Sequence, residues 1–404
     1  MRYTDKVFEH FMNPRNIGEI PDADGVGTIG SEECGDMIGV WIKVNNEHLA
    51  DIKYKVFGCP AAIASCSMMT ELAMGKHVDD AYEITNDQVA HALGGLPAHK
   101  YHCSNLAASV LHKAIMNYVF KNPAKIKTST ITILVDNNAS GNFQSERGLS
   151  LLLEYQDKRV LFDTGRTDLI LRNAELLDVN LADTHAIVIS HGHYDHTGGL
   201  KAVLNIASEA TLYLHPEALK PKFSRKDNKT SMSGIPKSTK KIIHALADKG
   251  RVAWTEMPTE VFPGLFITSR IPRITDYEDV GGDFFLDSNC NKPDTLLDDQ
   301  AMFFDSPKGL AILLGCAHAG VVNTLHYIAG LSREKNIYAV IGGMHLINAS
   351  SQRIERTIEA FKQYDVKKIG LAHCTGNNAV EKFKDVFPSR CFMCSVSTRI
   401  ELGN

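Results

Sequence analysis

The chain has 404 residues, more than one compact core usually holds, and a prior of roughly 100 to 200 residues per domain sets the expectation at two domains. Apolar residues make up 44% of it and charged residues 22%, which excludes global disorder. A formal net charge of -4 with no long Lys/Arg block argues against nucleic-acid and membrane partners, and leaves small molecules or proteins.

The opening "MRYTDKVFEHF" lacks the basic segment and apolar core of a signal peptide, and no later apolar run approaches the ~20 residues of a membrane span. The expected location is cytoplasmic. Nine cysteines, an odd number at irregular spacing, read in a reducing compartment as metal-binding, catalytic or buried thiols rather than disulfides.

From Tyr3 to Phe120 the pattern is helix, strands, helices. "DKVFEHFMNP" is amphipathic, "MIGVWIKVN" and "LADIKYKVFG" alternate as strands across a polar turn, and "AAIASCSMMTELAMG" and "LAASVLHKAIMNYVF" carry apolar residues at helical spacing. The pattern predicts an α+β domain. Cys34 in "EECGD", Cys59 in "FGCPA" and Cys103 in "KYHCS" each lie near glycine, aspartate or a turn, where a metal ligand at a strand or helix terminus would sit. With no CxxC among them, spacing alone fits ordinary thiols equally well. Cys66, in the apolar helix, reads as a packing residue.

"YTDKVFEHFMNPRNIG", "CGD", "YKVFGCPAAIASCS" and "GGLPAHKYHCSNLA" together resemble the iron–sulfur scaffold domain of the NifU/IscU family over nearly all of residues 1–121. The resemblance implies transient [2Fe–2S] assembly at Cys34, Cys59 and Cys103, with Asp36 tuning cluster lability and His102 as an alternative ligand. A cysteine desulfurase would donate the sulfur and apo iron–sulfur proteins would accept the product. Lys100 and His102 flank Cys103, favouring the thiolate form that accepts sulfane sulfur. Ala98 departs from the family's double-proline chaperone-recognition word.

"KNPAKIKTS" is short, polar and basic and holds a proline, so residues 122–128 are expected to be a linker, with a second domain over 129–404. There, "TITILVDN", "LSLLLEYQ", "RVLFDTG", "AIVISHG", "TLYLHP", "LAILLGCAH", "YAVIGGMH" and "KIGLAHCTG" predict strands alternating with helices, with metal-capable residues at strand C-termini. The strongest chemical signal is "VISHGHYDHTGGL". His191 and His193 can grip one divalent ion, while Asp195 and His196 point toward a second. Lysines and histidines of "HPEALKPKFSRKDNK" read mainly as solvated surface. Near the C-terminus "RCFMCSV" places Cys391 and Cys394 at the spacing of a redox pair or metal clip.

"SHGHYDHTGGL" resembles the H-x-H-x-D-H signature of the metallo-β-lactamase fold hydrolases, and "VLFDTG" the strand preceding it, over roughly residues 129–404. "GCAHAGVVNTL", "GGMHL", "AHCTG" and "SRIPRITDYE" resemble the branch that includes a dihydropterin-pathway synthase. The implied fold is αββα, following the α+β scaffold domain. The implied ligands are His191, His193 and His318 for one metal and Asp195, His196 and His373 for the other, with His345 in reserve. Many members carry a bridging aspartate where "LLGCAH" has Cys316, here either a soft thiolate ligand or a small buried residue. His193, where the di-iron branch usually has glutamate, favours zinc over iron.

Two divalent metals of this kind serve hydrolysis of a small ester, thioester or phosphorylated substrate, with Asp195 and His196 as catalytic candidates. The sequence leaves two alternatives standing: a cluster-assembly protein whose second domain is a non-catalytic metal-binding or interaction module, and an iron-dependent persulfide-oxidising enzyme. The resemblance also admits a homodimer.

Overall fold

Asn46 and Glu47 both adopt positive φ, 47° and 64°, the backbone of a two-residue turn whose twist matches that of the strands it joins. It folds Asp36–Asn45 back on His48–Phe57, and Gly25–Ser31 adds to the other edge of Asp36–Asn45, completing an antiparallel three-stranded sheet. The computed structural model describes residues 3–31, 36–97, 100–121, 129–332 and 336–403, and only the backbone of 31, 36, 79, 101–105 and 119–121. The chain divides into two units, Met1–Ile126 and Lys127–Asn404. The expected linker, 122–128, lies outside the described residues.

In the first unit, helix Asp5–Met12 is capped by Thr4, whose side chain accepts from the Val7 amide. Helix Pro60–Ala73 starts on Cys59 as N-cap with Pro60 just inside, where the fixed φ fits and the missing N–H costs nothing. It and helix Tyr101–Lys121 bury Ala61, Cys66, Met69, Val110, Leu111 and Ala114 with Ile38, Val40 and Ile52 of the sheet. Cys66 is therefore a core residue. Strand Gly25–Ser31 was not legible in "GVGTIGS", whose three glycines weaken any strand pattern. Two of those glycines, Gly25 and Gly27, are a packing requirement: a Cβ on Gly27 would lie 2.4 Å from the Val110 carbonyl oxygen and 2.6 Å from the Ala114 amide nitrogen.

The second unit stacks two seven-stranded sheets. The first runs, edge to edge, Val252–Trp254, Thr211–Leu214, Ala186–Val188, Lys158–Phe162, Ser150–Tyr155, Ser129–Val135, Arg399–Leu402. The second runs Thr259–Phe262, Leu265–Ile267, Met302–Ser306, Gly309–Leu314, Ile337–Gly343, Lys368–Ala372, Cys391–Met393. Phe162, Val188, Phe304, Leu313 and Ile341 fill the layer between them. Helices cover both outer faces, through Ile170, Leu200, Val203 and Ile243 on one and Leu325, Ile354, Phe361 and Phe383 on the other. This is the expected αββα order. Among the described residues no helix is long and apolar enough to cross a membrane.

The cysteine spacing near the C-terminus has a different outcome. Side chains alternate along a strand, so positions three apart face opposite ways. Cys391 packs with the outer helical layer and Cys394 with the inter-sheet layer, so the sheet itself separates them and they form neither a clip nor a redox pair.

We expect Gly27→Ala to lower the stability of the first unit by about 1–3 kcal/mol, since the added methyl meets helix backbone that cannot rotate away. Thermal unfolding followed by circular dichroism would measure this, and an unchanged transition would show that the strand and helix separate freely.

Candidate metal centre

The chemistry-bearing residues gather where strands end. Strands Ser129–Val135, Lys158–Phe162 and Ala186–Val188 of the first sheet are followed by Asp136, Asp163 and His191; strands Gly309–Leu314, Ile337–Gly343 and Lys368–Ala372 of the second by Cys316, His345 and His373. Each of these triplets points one way, so all six residues reach the same rim, the usual ligand edge of such sheets.

Asp163 is fully buried and satisfied by three donors: the Ser190 amide (2.7 Å) and hydroxyl (2.6 Å), and His196 Nδ1 (2.6 Å). Because the Ser190 hydroxyl gives its only proton to Asp163, it accepts from His191 Nδ1 at 2.9 Å. His318 Nδ1 donates to the Val280 carbonyl (2.7 Å) and His373 Nδ1 to Asn137 Oδ1 (2.9 Å). Four Nδ1 atoms are thus committed to the protein, which turns the four Nε2 atoms toward the pocket. Asp136, also buried, takes the His373 amide at 2.8 Å.

The pocket's donor atoms fall into groups whose members lie within 4.8 Å of one another: His191, His193 and His318; Asp195, His196 and His373; and three further groups that include Cys316. Their protonation suits a cation. Burial lowers the pKa of His191 and His318 well below the ordinary histidine range, that of His193 to about 3, and that of His373 as well. These rings are neutral near pH 7, and His318 Nε2 and His193 Nε2 are buried with no protein partner. Burial also acts on His196, but the Asp163 carboxylate outweighs it and pushes the pKa up to about 9, so a cation there displaces a proton. Burial disfavours the Asp195 carboxylate, yet the surrounding His196, His373, His193 and Arg147 hold its pKa below the ordinary value. A convergent donor set of four neutral rings, one carboxylate and one proton-releasing histidine, with two ring nitrogens orphaned, fits a divalent metal.

The expected residues His191, His193, Asp195, His196, His318 and His373 are thus brought together, and His345 joins them, its ring centroid 4.3 Å from that of His318. Among the first unit's expected residues, Cys59 is half-buried at its helix N-terminus. Cys34 and Ala98 lie outside the described residues, as do the side chains of Asp36, His102 and Cys103.

Three features escaped the sequence reading. Asp163 stands in the quoted "VLFDTG", but nothing local marks it as the partner of His196. Lys222, read as solvated, is 1% exposed and donates to Asp294 (2.9 Å) and Asp298 (2.7 Å). Asp298 in turn accepts from the Gly192 amide at 2.7 Å, holding the backbone between His191 and His193. Phe284, in the small sheet with the hairpin Phe223–Lys226 and Lys229–Met232, lays its ring 4.7 Å from His193 and 5.2 Å from His318.

The family described as "NifU-like N terminal domain" matches residues 2–125 and the "Metallo-beta-lactamase superfamily" matches 146–279. Over 120 residues the chain is 58% identical to the iron-sulfur cluster assembly scaffold protein IscU 1 of Archaeoglobus fulgidus, covering 30% of this chain and 78% of that one. Over 285 residues it is 34% identical to the 7,8-dihydropterin-6-methyl-4-(beta-D-ribofuranosyl)-aminobenzene-5'-phosphate synthase of Methanocaldococcus jannaschii, covering 66% of this chain and 95% of that one. The chain belongs to both families. A solved metal-dependent hydrolase of the beta-lactamase superfamily superposes with a TM-score of 0.58 at 31% identity, covering 68% of this chain and all of that one. The protein is accordingly a fusion of an IscU-like scaffold domain and a metallo-β-lactamase fold domain.

Two outcomes test this support network. Asp163→Asn leaves the shape of the side chain but weakens its hold on His196, and we expect metal affinity to fall about 10–100-fold in a chelator competition. Asp299, buried beside the centre, accepts from the Ala319 amide (2.7 Å) while its other oxygen has no partner, and burial raises its pKa to about 7. A carboxyl whose folded pKa lies above its unfolded value of 3.8 binds a proton on folding, so its contribution is lost as pH rises from about 4 through 7. Asp299→Asn should therefore raise Tm relative to the parent more at pH 8 than at pH 5.

Proposed function

We propose that the second domain is a metal-dependent hydrolase of a small ester, thioester or phosphorylated substrate, and that the first assembles a transient [2Fe–2S] cluster for delivery. The observation that carries the first half is the pair of convergent donor groups, in the first of which the Nε2 atoms of His193 and His318 are buried without a protein partner. His191, His193 and His318 would hold one metal, and Asp195, His196 and His373 the other. Zinc is favoured by an imidazole-rich set, with iron the competing occupant.

A divalent cation in such a site supplies Lewis acidity, polarising a carbonyl or phosphoryl oxygen and making hydroxide available near neutral pH. The chain's own residues do the rest. The Asp195 carboxylate, ionised and 8% exposed, would orient an attacking water. Arg147 lies 3.9 Å from it with a mostly exposed side chain, where it can draw in and steady an anionic substrate. His196 is kept in one orientation by Asp163, and Phe284 walls off the side of His193 and His318, excluding bulk water.

In the first domain the cluster is cargo, not a resident cofactor. Cys34, Cys59 and Cys103 would ligate it, Asp36 would tune its lability, and His102 would stand in as ligand. The 58% identity to a cluster assembly scaffold protein supports this reading and implies a sulfur donor, a cysteine desulfurase, and apo iron–sulfur proteins as acceptors.

The two activities should separate by mutation. His193→Ala is expected to lower kcat/KM by more than about 10²-fold, since even changes outside the ligand shell cost 10–100-fold, while leaving [2Fe–2S] loading unchanged. Cys59→Ser should do the reverse. A panel of ester, thioester and phosphoester substrates read alongside visible absorption of the reconstituted cluster would test both, and a His193→Ala protein with full turnover would refute the hydrolase assignment.

A further inference from the structure

Cys316 and Cys374 belong to neither proposed ligand group, yet both are buried and their Sγ atoms are 3.4 Å apart. They follow strands Gly309–Leu314 and Lys368–Ala372, which are not neighbours: Ile337–Gly343 runs between them. Strands two places apart are separated by roughly 9.5 Å, so two such side chains meet only if the strand between ends bare. Gly343 is that bare end. A Cβ there would lie 2.8 Å from Cys374 Sγ and 2.4 Å from the Gly315 carbonyl oxygen.

The surroundings are not those of packing thiols. Cys316 Sγ is 3.1 Å from His196 Nε2, and the His345 amide donates to Cys374 Sγ at 3.3 Å. Cys316, Cys374 and His373 present donor atoms within 4.8 Å of one another, and Cys316 lies as close to His318 and His345. His345 Nδ1 is buried with no partner. Ala317 (φ 55°), His345 (φ 43°) and His373 (φ 49°), each adjacent to or part of the cluster, hold left-handed backbone. Such conformations persist where the surroundings enforce them, and they concentrate at binding sites.

We infer that Cys316 and Cys374, with His373, form a soft S₂N ligand set at the end of the pocket shared with Asp195 and His196, which selects a thiophilic divalent ion. This rests on the proposed metal binding by the histidine groups and goes beyond it, because an all-imidazole and carboxylate site would accept harder ions. On binding, each thiol releases its proton to solvent and forms one sulfur–metal bond, with no change in oxidation state. The set would favour zinc or cobalt over manganese or magnesium.

The test is titration of the metal-free full chain, carrying Cys34→Ser, Cys59→Ser and Cys103→Ser to silence the first domain's thiols, with cobalt(II) chloride under anaerobic conditions. We expect an intense near-ultraviolet thiolate-to-cobalt charge-transfer band together with weaker visible ligand-field bands. Adding Cys316→Ser and Cys374→Ser should abolish the former, keep the latter, and erase the preference for cobalt over manganese. Ligand-field bands without a charge-transfer band, or a charge-transfer band that survives both serines, overturns the thiolate set while the histidine reading stands. No cobalt bound at all overturns both. Should the double serine protein fail to fold, X-ray absorption on the zinc-loaded cysteine-to-serine parent decides: sulfur scatterers at about 2.3 Å support the set, and only nitrogen and oxygen overturn it.

Discussion

A carboxylate whose hydrogen-bond partners among the described residues include no lysine or arginine sits at the root of the second domain's site. Asp163 is fully buried, and a charge there would be prohibitive if it were not surrounded by donors, one of them the His196 ring it keeps protonated. It is surrounded: the Ser190 amide, the Ser190 hydroxyl and the His196 ring all point at it. These bonds tie the end of strand Lys158–Phe162 to the loop after Ala186–Val188, and through Ser190 they fix the His191 tautomer as well. One carboxylate therefore sets the orientation of two ring donors on opposite sides of the histidine motif. Asp163 itself has a left-handed backbone, φ 62°, so the fold accepts local strain to aim it.

A second support reaches the same loop from the other side. The Lys222 ammonium lies between Asp294 and Asp298, all three buried, and the free oxygen of Asp298 holds the Gly192 amide. A buried ion pair is a poor source of stability, but it is a strong specifier of position because breaking it strands a charge. Residues of the long insertion after Leu200 thus serve the ligand loop, although none of them carries a recognisable ligand pattern.

The alternating strands and the histidine ligand candidates were legible in the sequence because apolar alternation and a dense histidine motif are local signals, and the αββα layering followed from the family resemblance. What was not legible shares one physical trait: its meaning depends on a partner far away in the chain. Lys222 reads as surface until Asp294 and Asp298 close around it, some 72 and 76 positions on. Gly343 carries no local mark until Cys374 Sγ is found 2.8 Å from where its Cβ would lie. Strand Gly25–Ser31 has no legible pattern until helix Tyr101–Lys121 is found packed against Gly25 and Gly27. The Cys391 and Cys394 spacing erred the other way, a local motif whose strand geometry sends the two sulfurs to opposite faces.

The first sheet of the second domain is closed by a return of the chain. Strand Arg399–Leu402 pairs antiparallel with Ser129–Val135, placing the last strand of the sheet beside the earliest. A ribosome that has released residues 129–390 has therefore delivered a sheet whose first strand still presents an open edge, while the three described strands of the scaffold domain lie upstream. Synthesis imposes an order of emergence: the described strands of the scaffold sheet leave the ribosome first, and the first sheet of the second domain is completed only with residues 399–402. During that interval the uncovered edge of Ser129–Val135 is the stretch most in need of protection from pairing with other chains.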